Sequence, residues 1–341
     1  MTVLVEQQQS VRELPVNYRA EDAALFEHER TRVIPPANLL TLRGVSASAD
    51  GMLFRHGRVL DESFSAAHVR EAFRRSPWRV LKFLVKNYLF RRRRRHAAPS
   101  LWVTDDWSNG YFHWVADVLP RLFAARDVAR ELVLLLPSGF GELPFVRGSL
   151  PLFDLGGVDF IGAKEVRLCE QLVLPTHTSP SGHYNDPLMR DLRGFILARL
   201  GLAAARPARR MYISRSGTSR RRIANEADVM DVFGQFDFEV VRFEHLSFDE
   251  QVRIATQCSV LAGNHGAGLV NMLFMPVGAS VLELRRTGDR YSNCFFNLAS
   301  TSGLRYYYQT CDPVLPDSDP HFGDIVVDTD QLRRTLTMMG D

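Results

Sequence analysis

The chain has 341 residues, 45% of them hydrophobic and 24% charged, which is long and apolar enough for two globular domains, each with its own core. Its four cysteines, Cys169, Cys258, Cys294 and Cys311, form no CxxC or Cys/His pattern, which argues against a zinc site or a disulfide framework and for a reducing compartment. The formal charge of +3 hides an asymmetry, because Arg70 to Arg95 holds eleven basic residues against the single acid Glu71, leaving the rest net acidic.

Residues 1–65 read as an irregular, β-rich lead-in: Pro15, Pro35 and Pro36 break helices, while Leu39 to Leu42 and Met52 to Val59 could pair as a hairpin. Met1 to Val5 leads into Glu6 and a glutamine run rather than the apolar core of a signal peptide. No stretch reaches the roughly 20 apolar residues of a membrane span, and no Asn-x-Ser/Thr sequon occurs. A cytoplasmic protein is expected. Ala66 to Arg75 is helical in composition. After Pro77, the segment Trp78 to Phe90 sets Arg79, Lys82 and Lys86 at helical spacing beside Trp78, Leu81, Val85 and Leu89. It reads as a basic amphipathic helix capped by the five arginines 91–95. Such a helix suits an anionic membrane surface, a solvated face or, least of the three, nucleic acid. Thirty-nine of the 42 basic residues are arginine, which points to a genomic composition bias, so single arginines carry little weight.

From Leu101 the texture alternates. Strands are predicted at Leu101–Thr104, Glu131–Leu136, Val158–Gly162 and Gln171–Pro175, and helices at Tyr111–Arg126 and Pro187–Leu200. A His-, Ser- and Gly-rich loop precedes the second of these helices, and Gly201 to Arg210 reads as a linker. The alternation then resumes, with strands at Arg210–Ser214, Glu239–Phe243, Val260–Gly263 and Ser280–Leu284. Helices are predicted between them at Glu226–Phe236, Ser247–Ala255 (Ser247 as cap, Glu250 at the capping-box position) and Leu269–Phe274. Strands alternating with helices predict an α/β fold with parallel sheets. The implied division is an extension over 1–100, an α/β domain over 101–202 and a Rossmann-like domain over 203–341.

The turn Gly263-Asn264-His265-Gly266-Ala267-Gly268 lies between a strand and a helix, where small residues admit a ligand and helix-start amides attract phosphate. Its spacing is not that of the dinucleotide GxGxxG fingerprint, so a nicotinamide cofactor is not expected. Ser214 and Arg215 end one strand at the edge where open α/β sheets bind ligands, with the arginine-rich loop Ser216 to Arg222 and then Asn225 following. Glu283, an acid within the apolar run 281–284, would suit a ribose diol or be an edge-strand surface acid. Earlier in the chain His113, Asp117 and Arg121 are spaced i, i+4, i+8 and share one helical face.

The ordered set YISR (212–215), R-x-I-x-NE (221–226), GNHGAGLVN (263–271) and LEL (282–284) resembles the carboxyl-terminal half of glycosyltransferase family 61. The segment NGYFHWVADVLPR (109–121) is similar to that family's amino-terminal signature. The resemblance implies a GT-B-like arrangement of two Rossmann-like domains facing across a cleft. It also implies an inverting, metal-independent glycosyltransferase moving a sugar from a nucleotide-diphosphate donor, a UDP-sugar first, to a glycan or lipid-linked glycan acceptor in cell-surface polysaccharide assembly such as capsule or lipopolysaccharide.

Inversion needs a base within hydrogen-bond reach of the acceptor hydroxyl. His113 and Asp117 are the candidate base and orienting partner, in either order, with Asp105 and Asp106 as rivals. Asp106, Asn109, Trp114 and Arg121 are candidate acceptor contacts. Arg215, Arg220, Arg222, Asn225, His265, Gly266, Ala267, Gly268, Asn271 and Glu283 are candidate donor contacts. Asp105-Asp106 is not the D-x-D pattern of metal-dependent sugar transferases, so no metal and no cofactor are expected; a nucleic-acid-binding protein and a nucleotide-dependent hydrolase are the competing classes.

Overall fold

A computed structural model describes residues 2–202, 207–218, 220–317, 319 and 322–340. The contacts divide the chain into two units, one of Met1–Gln8 and Ile34–Ser181, the other of Gln9–Val33 and Gly182–Asp341.

After β1 (Thr2–Val5), the short strands β2 (Gln8–Val11) and β3 (Thr31–Ile34) pair with each other. The first unit continues with β4 (Ala37–Ser48), β5 (Leu53–Arg55), β6 (Arg58–Val59), β7 (Arg92–His96), β8 (Ser100–Leu101), β9 (Val133–Pro137), β10 (Gly157–Ile161) and β11 (Glu165–Pro175). They form one sheet in the order β10-β9-β8-β11-β4-β5-β6, with β1 added to β4 and β7 to β11. The β10-to-β11 half is parallel, and Leu134, Leu135 and Leu136 are completely buried, as a strand covered on both faces requires. The β4-to-β6 half is antiparallel.

Two expectations change in this half. Met52–Val59 is a hairpin by itself, turning at His56-Gly57 with φ of 48° and 75°, the left-handed pair that a two-residue turn needs. It meets β4 through Ser46 and Ala47, while Leu39–Leu42 is paired with β11 instead. The arginine run is not a helix cap: Arg92–His96 is a strand laid parallel to β11. Its charge is largely answered, since Arg91 meets Asp50 at 2.7 Å, Arg94 meets Glu165 at 2.7 Å and Arg95 meets Glu170 at 2.6 Å.

The second unit carries β12 (Arg209–Ile213), β13 (Phe238–Val241), β14 (Cys258–Asn264), β15 (Ser280–Arg286), β16 (Arg305–Pro313) and β17 (Ile325–Val326). Their order is β13-β12-β14-β15-β16-β17, parallel except for the last pairing. That is a doubly wound sheet whose direction of winding reverses between β12 and β14, the position at which such sheets open a ligand crevice beyond their carboxyl ends. The helix Phe248–Gln257 starts in the expected capping box, with the Ser247 amide donating to Glu250 at 2.8 Å. Beyond Leu284, where the sequence signals end, the fold adds the helix Cys294–Thr301, β16 and the helix Thr329–Gly340.

The α/β class is as expected, but the domain limits differ from 1–100, 101–202 and 203–341. The first hundred residues are not an extension, because β4 is paired with β11 from Ser48–Val166 to Leu39–Pro175. Residues 9–33 belong to the second unit: Arg12 meets Asp186 at 2.6 Å, and Phe26 lies completely buried against Phe296, Tyr306 and Tyr308. The helix Asp186–Arg199 also belongs there, ahead of the expected linker, whose residues 203–206 lie outside those described. Among the described residues no helix is long and apolar enough to cross a membrane.

Candidate active site

In the first unit, functional side chains gather past the carboxyl ends of β8 and β11. A helical rod starts at Tyr111, widens to a π turn over Trp114–Val118 and returns to α geometry over Leu119–Ala124. Pro120 accounts for the widening, because it cannot donate to the Ala116 carbonyl and its ring would crowd that oxygen in a regular α turn. The π turn lies between His113 and Arg121.

His113 Nδ1 is 2.8 Å from Asp117 Oδ2, and the Ser181 hydroxyl donates to the same oxygen at 2.9 Å. The Asp117 side chain is only 7% exposed, so its charge acts on the imidazole with little solvent screening. A proton on Nδ1, held by the carboxylate, leaves the lone pair on Nε2, as in the His–Asp part of a hydrolase triad. Nε2 makes no hydrogen bond among the described residues. The Trp107 and Phe112 rings each lie 5.0 Å from the imidazole and fix its plane. This pair has the geometry of a base and its orienting acid.

A second His–Asp pair was not foreseen. His177 Nε2 lies 2.7 Å from Asp105 Oδ2, with Asp105 just past β8 and His177 just past β11. Asp105 also accepts from the Ser108 hydroxyl at 2.9 Å and the Trp107 amide at 3.0 Å. Burial pushes its carboxyl up, but His177, Arg121 and the Trp107 amide outweigh that and hold it at about 2. It is therefore an anion at any physiological pH. The only sequence signal was a histidine in a polar loop.

The expected acceptor residues fare unevenly. Arg121 is 1% exposed; its Nε and Nη2 donate to the Pro175 carbonyl at 3.1 and 2.9 Å, and Nη1 lies 3.7 Å from Asp105. It braces Asp105 from inside and cannot reach an acceptor. Trp114 is likewise completely buried, with its indole N–H on Ser149 at 2.8 Å, and belongs to the core. Asp106 is half-buried and accepts the Ser65 amide at 2.8 Å, while Asn109 is exposed.

In the second unit the expected donor residues cluster at the reversal point. Gly263 and Gly268 press on Ile213, and a Cβ on Gly266 would come 2.2 Å from Arg215 Nη1, so glycines at this turn make room for the end of β12. Ala267 opens a 3₁₀ helix running to Phe274 rather than an α-helix. Asn264 donates to the Arg221 carbonyl at 2.7 Å and Arg215 Nε to the same oxygen at 3.1 Å, joining turn and arginine loop. Those bonds hold Arg221 at φ 54°, a left-handed backbone that costs a non-glycine residue about 1 kcal/mol.

Of the three adjacent arginines, Arg221 is the inward one. Burial pulls its guanidinium down from the usual value while Cys294 and Glu283 act to raise it. Arg220 is exposed and stacks on Phe322, and Arg222 is tied to Asp324 at 3.0 Å. Arg220 and Arg222 were the expected donor contacts and Arg221 was not, because nothing within a run of three arginines tells which one faces inward.

Several polar residues expected to touch a donor instead build the walls. Glu283 is completely buried, its Oε1 2.5 Å from His265 Nδ1 and its Oε2 accepting from Tyr306, so its carboxylate serves the interior and is not presented to a ribose. Asn225 exchanges hydrogen bonds with the Val327 backbone at 2.9 and 3.0 Å. Asn271, also buried, donates to Gln251 and to the Gly268 carbonyl. His265, oriented by Glu283 and set against Phe295 at 4.9 Å, is the polar side chain this scaffold presents beside the glycines.

The family profile described as Glycosyltransferase 61 matches residues 111–282, just over half of the chain. This chain is a member of the glycosyltransferase 61 family. The match opens on the helix that carries His113 and closes one residue before Glu283. Among curated relatives, the EGF domain-specific O-linked N-acetylglucosamine transferase of Drosophila melanogaster is 33% identical over 147 residues, covering 41% of this chain and 28% of the fly protein. The proteins of the same name from Bos taurus and Rattus norvegicus are 30% and 31% identical over 150 residues, again covering 41% and 28%. The chain thus spans little more than a quarter of the length of these relatives.

Proposed function

We propose that the chain is an inverting glycosyltransferase that moves a sugar from a nucleotide-diphosphate donor to a hydroxyl of a glycan acceptor. The observation that carries this reading is the His113–Asp117 pair, an oriented imidazole with Nε2 unengaged among the described residues. In the proposed step Nε2 takes the acceptor hydroxyl proton as the oxygen attacks the anomeric carbon. The bond to the diphosphate breaks, and the nucleoside diphosphate leaves with the electron pair. Asp117 stabilises the imidazolium that forms.

Arg215, Arg221 and the amides of Gly266 to Gly268 are the proposed partners of the leaving diphosphate. With two guanidinia serving that charge, no metal is required in this reading. Because the curated relatives are named N-acetylglucosamine transferases, UDP-N-acetylglucosamine is the first donor to test. A cytoplasmic role in capsule or lipopolysaccharide assembly accords with four free cysteines. Nucleic-acid binding is disfavoured because Arg91, Arg94 and Arg95 are already paired with acids.

The test is a thermal-shift panel of nucleoside diphosphates and their sugars, followed by transfer and hydrolysis assays on the donor that stabilises the chain. Stabilisation by one nucleoside diphosphate and acceptor-dependent transfer in the presence of a chelator are expected. Restoration of chelator-lost activity by manganese would overturn the metal-independent part. Release of free sugar regardless of acceptor would reassign the enzyme to hydrolysis.

A further inference from the structure

The helix Pro77–Val85, continued by a π turn over Lys86–Phe90, has two apolar faces where a surface helix ordinarily has one. The inner face is accounted for: Phe83 packs on Phe54, Val59 and Phe64, with Leu84 and Tyr88 beside them. The outer face is not. Trp78, Leu81, Leu89 and Phe90 are 74%, 52%, 75% and 77% exposed, and the first three recur on one side of the helix. Burying so large an exposed patch calls for an apolar partner phase.

Charge selects the partner. Most cations of this segment are answered within the unit, Lys86 and Arg91 by Asp50, Arg70 and Arg74 by Asp61. Arg79, Lys82, Arg92 and Arg93 form no ion pair among the described residues, and Arg79 and Lys82 flank the outer stripe. On the stripe's other flank Leu84 and Tyr88 help line a cavity of about 640 Å³, which also holds Arg55, His56 and Arg93. The Arg93 guanidinium lies over the Tyr88 ring, 4.7 Å from its centre. An apolar ridge with unanswered cations on one side and a cation-lined hollow on the other is the profile of a helix lying in a lipid interface. A second copy fits poorly, because a two-fold contact through this stripe would gather the unanswered cations of both copies at one seam.

We infer that this face binds an anionic membrane surface. Trp78, Leu81, Leu89 and Phe90 enter the acyl boundary, Arg79 and Lys82 meet lipid phosphates, and the hollow of Arg55 and Arg93 takes one headgroup. The inference does not depend on the proposed sugar transfer.

Co-sedimentation of the full chain with vesicles at physiological salt tests it. One set is phosphatidylcholine alone, and in the other about one third of the lipid is phosphatidylglycerol. The chain is expected to sediment with the anionic vesicles only. Trp78→Ser/Leu89→Ser/Phe90→Ser and, separately, Arg79→Gln/Lys82→Gln should each lower the bound fraction about tenfold or more. Arg55→Gln/Arg93→Gln should weaken anionic binding. These side chains are exposed or line an open hollow, and unchanged thermal midpoints verify that the variants fold. Failure of the wild-type chain to bind anionic vesicles overturns the inference, as does undiminished, wild-type binding by the apolar and charge variants. Concentration-dependent dimerisation abolished by the apolar variant would give the face to a second copy instead and overturn it as well.

Discussion

His113 Nδ1 and Asp117 Oδ2, one turn apart on a helix widened at Pro120, stand 2.8 Å from each other with the Ser181 hydroxyl on the same carboxylate oxygen. If that carboxylate orients the ring and steadies the imidazolium, His113→Gln and Asp117→Asn should each lower kcat by about 10²- to 10⁴-fold. Stabilisation by nucleoside diphosphate should be unchanged, since neither residue belongs to the second unit's turn. A variant that loses nucleotide-induced stabilisation together with activity would contradict these roles.

If Arg221 and Arg215 hold the leaving diphosphate, removing them should weaken donor binding and leave the His113–Asp117 pair intact. Arg221→Ala should weaken nucleoside-diphosphate binding about tenfold or more. Arg220→Ala, at an exposed side chain stacked on Phe322, should change it little. Isothermal titration of the two variants against the same nucleotide decides the assignment, and equal losses would refute it.

At Gly266 the constraint is space. The methyl group of Gly266→Ala would meet Arg215 Nη1 at 2.2 Å, and the guanidinium, being the far end of a flexible side chain, can swing aside. The fold should therefore persist while donor affinity falls about tenfold. A Tm close to wild type with a raised donor KM is the expected signature; unchanged KM would show that Arg215 does not serve the donor.

Asp105 gives a pH-dependent stability. Its carboxyl is lowered from 3.8 to about 2 in the folded chain, so its contribution is present above about pH 4 and is lost as pH falls towards 2. It amounts to about 2 kcal/mol. Asp105→Asn should remove that acid limb and also destabilise at neutral pH by about 3 kcal/mol, because Arg121 would keep a buried charge without its counter-ion. Urea unfolding of both proteins between pH 2 and 7 measures the two effects together.

Glu283→Ala should cost about 3 kcal/mol, since it strips a partner from the buried Tyr306 hydroxyl and releases His265. Glu283→Gln should retain much of the stability and lose donor binding in proportion to the disorder of His265. Denaturant midpoints paired with nucleotide titrations distinguish the wall role from a ribose contact, which would lose affinity without losing stability.

Much of the second unit was legible because parallel strands such as β12 and β14 are short apolar runs between glycines and helix caps, a pattern that depends on local chemistry alone. The His113–Asp117 pair was legible for the same reason, being set by helical spacing. The Asp105–His177 pair was not, because its members are brought together by two strands adjacent in the sheet and distant in the chain. The arginine strand was misread because nothing within five arginines announces a strand; Glu165 and Glu170 on β11 make it tolerable. Glu283, Asn225 and Asn271 were expected to touch a donor, and the hydrogen bonds they make within the unit could not be read from spacing. Spacing shows that a polar residue lies near a ligand turn, but only its hydrogen bonds show whether it faces the ligand or holds the turn in shape.

Residues 9–33 belong to the second unit while 1–8 and 34–181 belong to the first, so synthesis on the ribosome delivers part of the second unit's core before the first unit exists. Phe26 and Arg12 emerge early and must wait for Asp186, Phe296 and Tyr308. The first unit can fold in that interval, and only then does the remaining chain arrive to enclose them. A fragment begun at residue 203 would therefore lack an aromatic plug and a buried ion pair, and it should expose apolar surface and aggregate where the full chain does not.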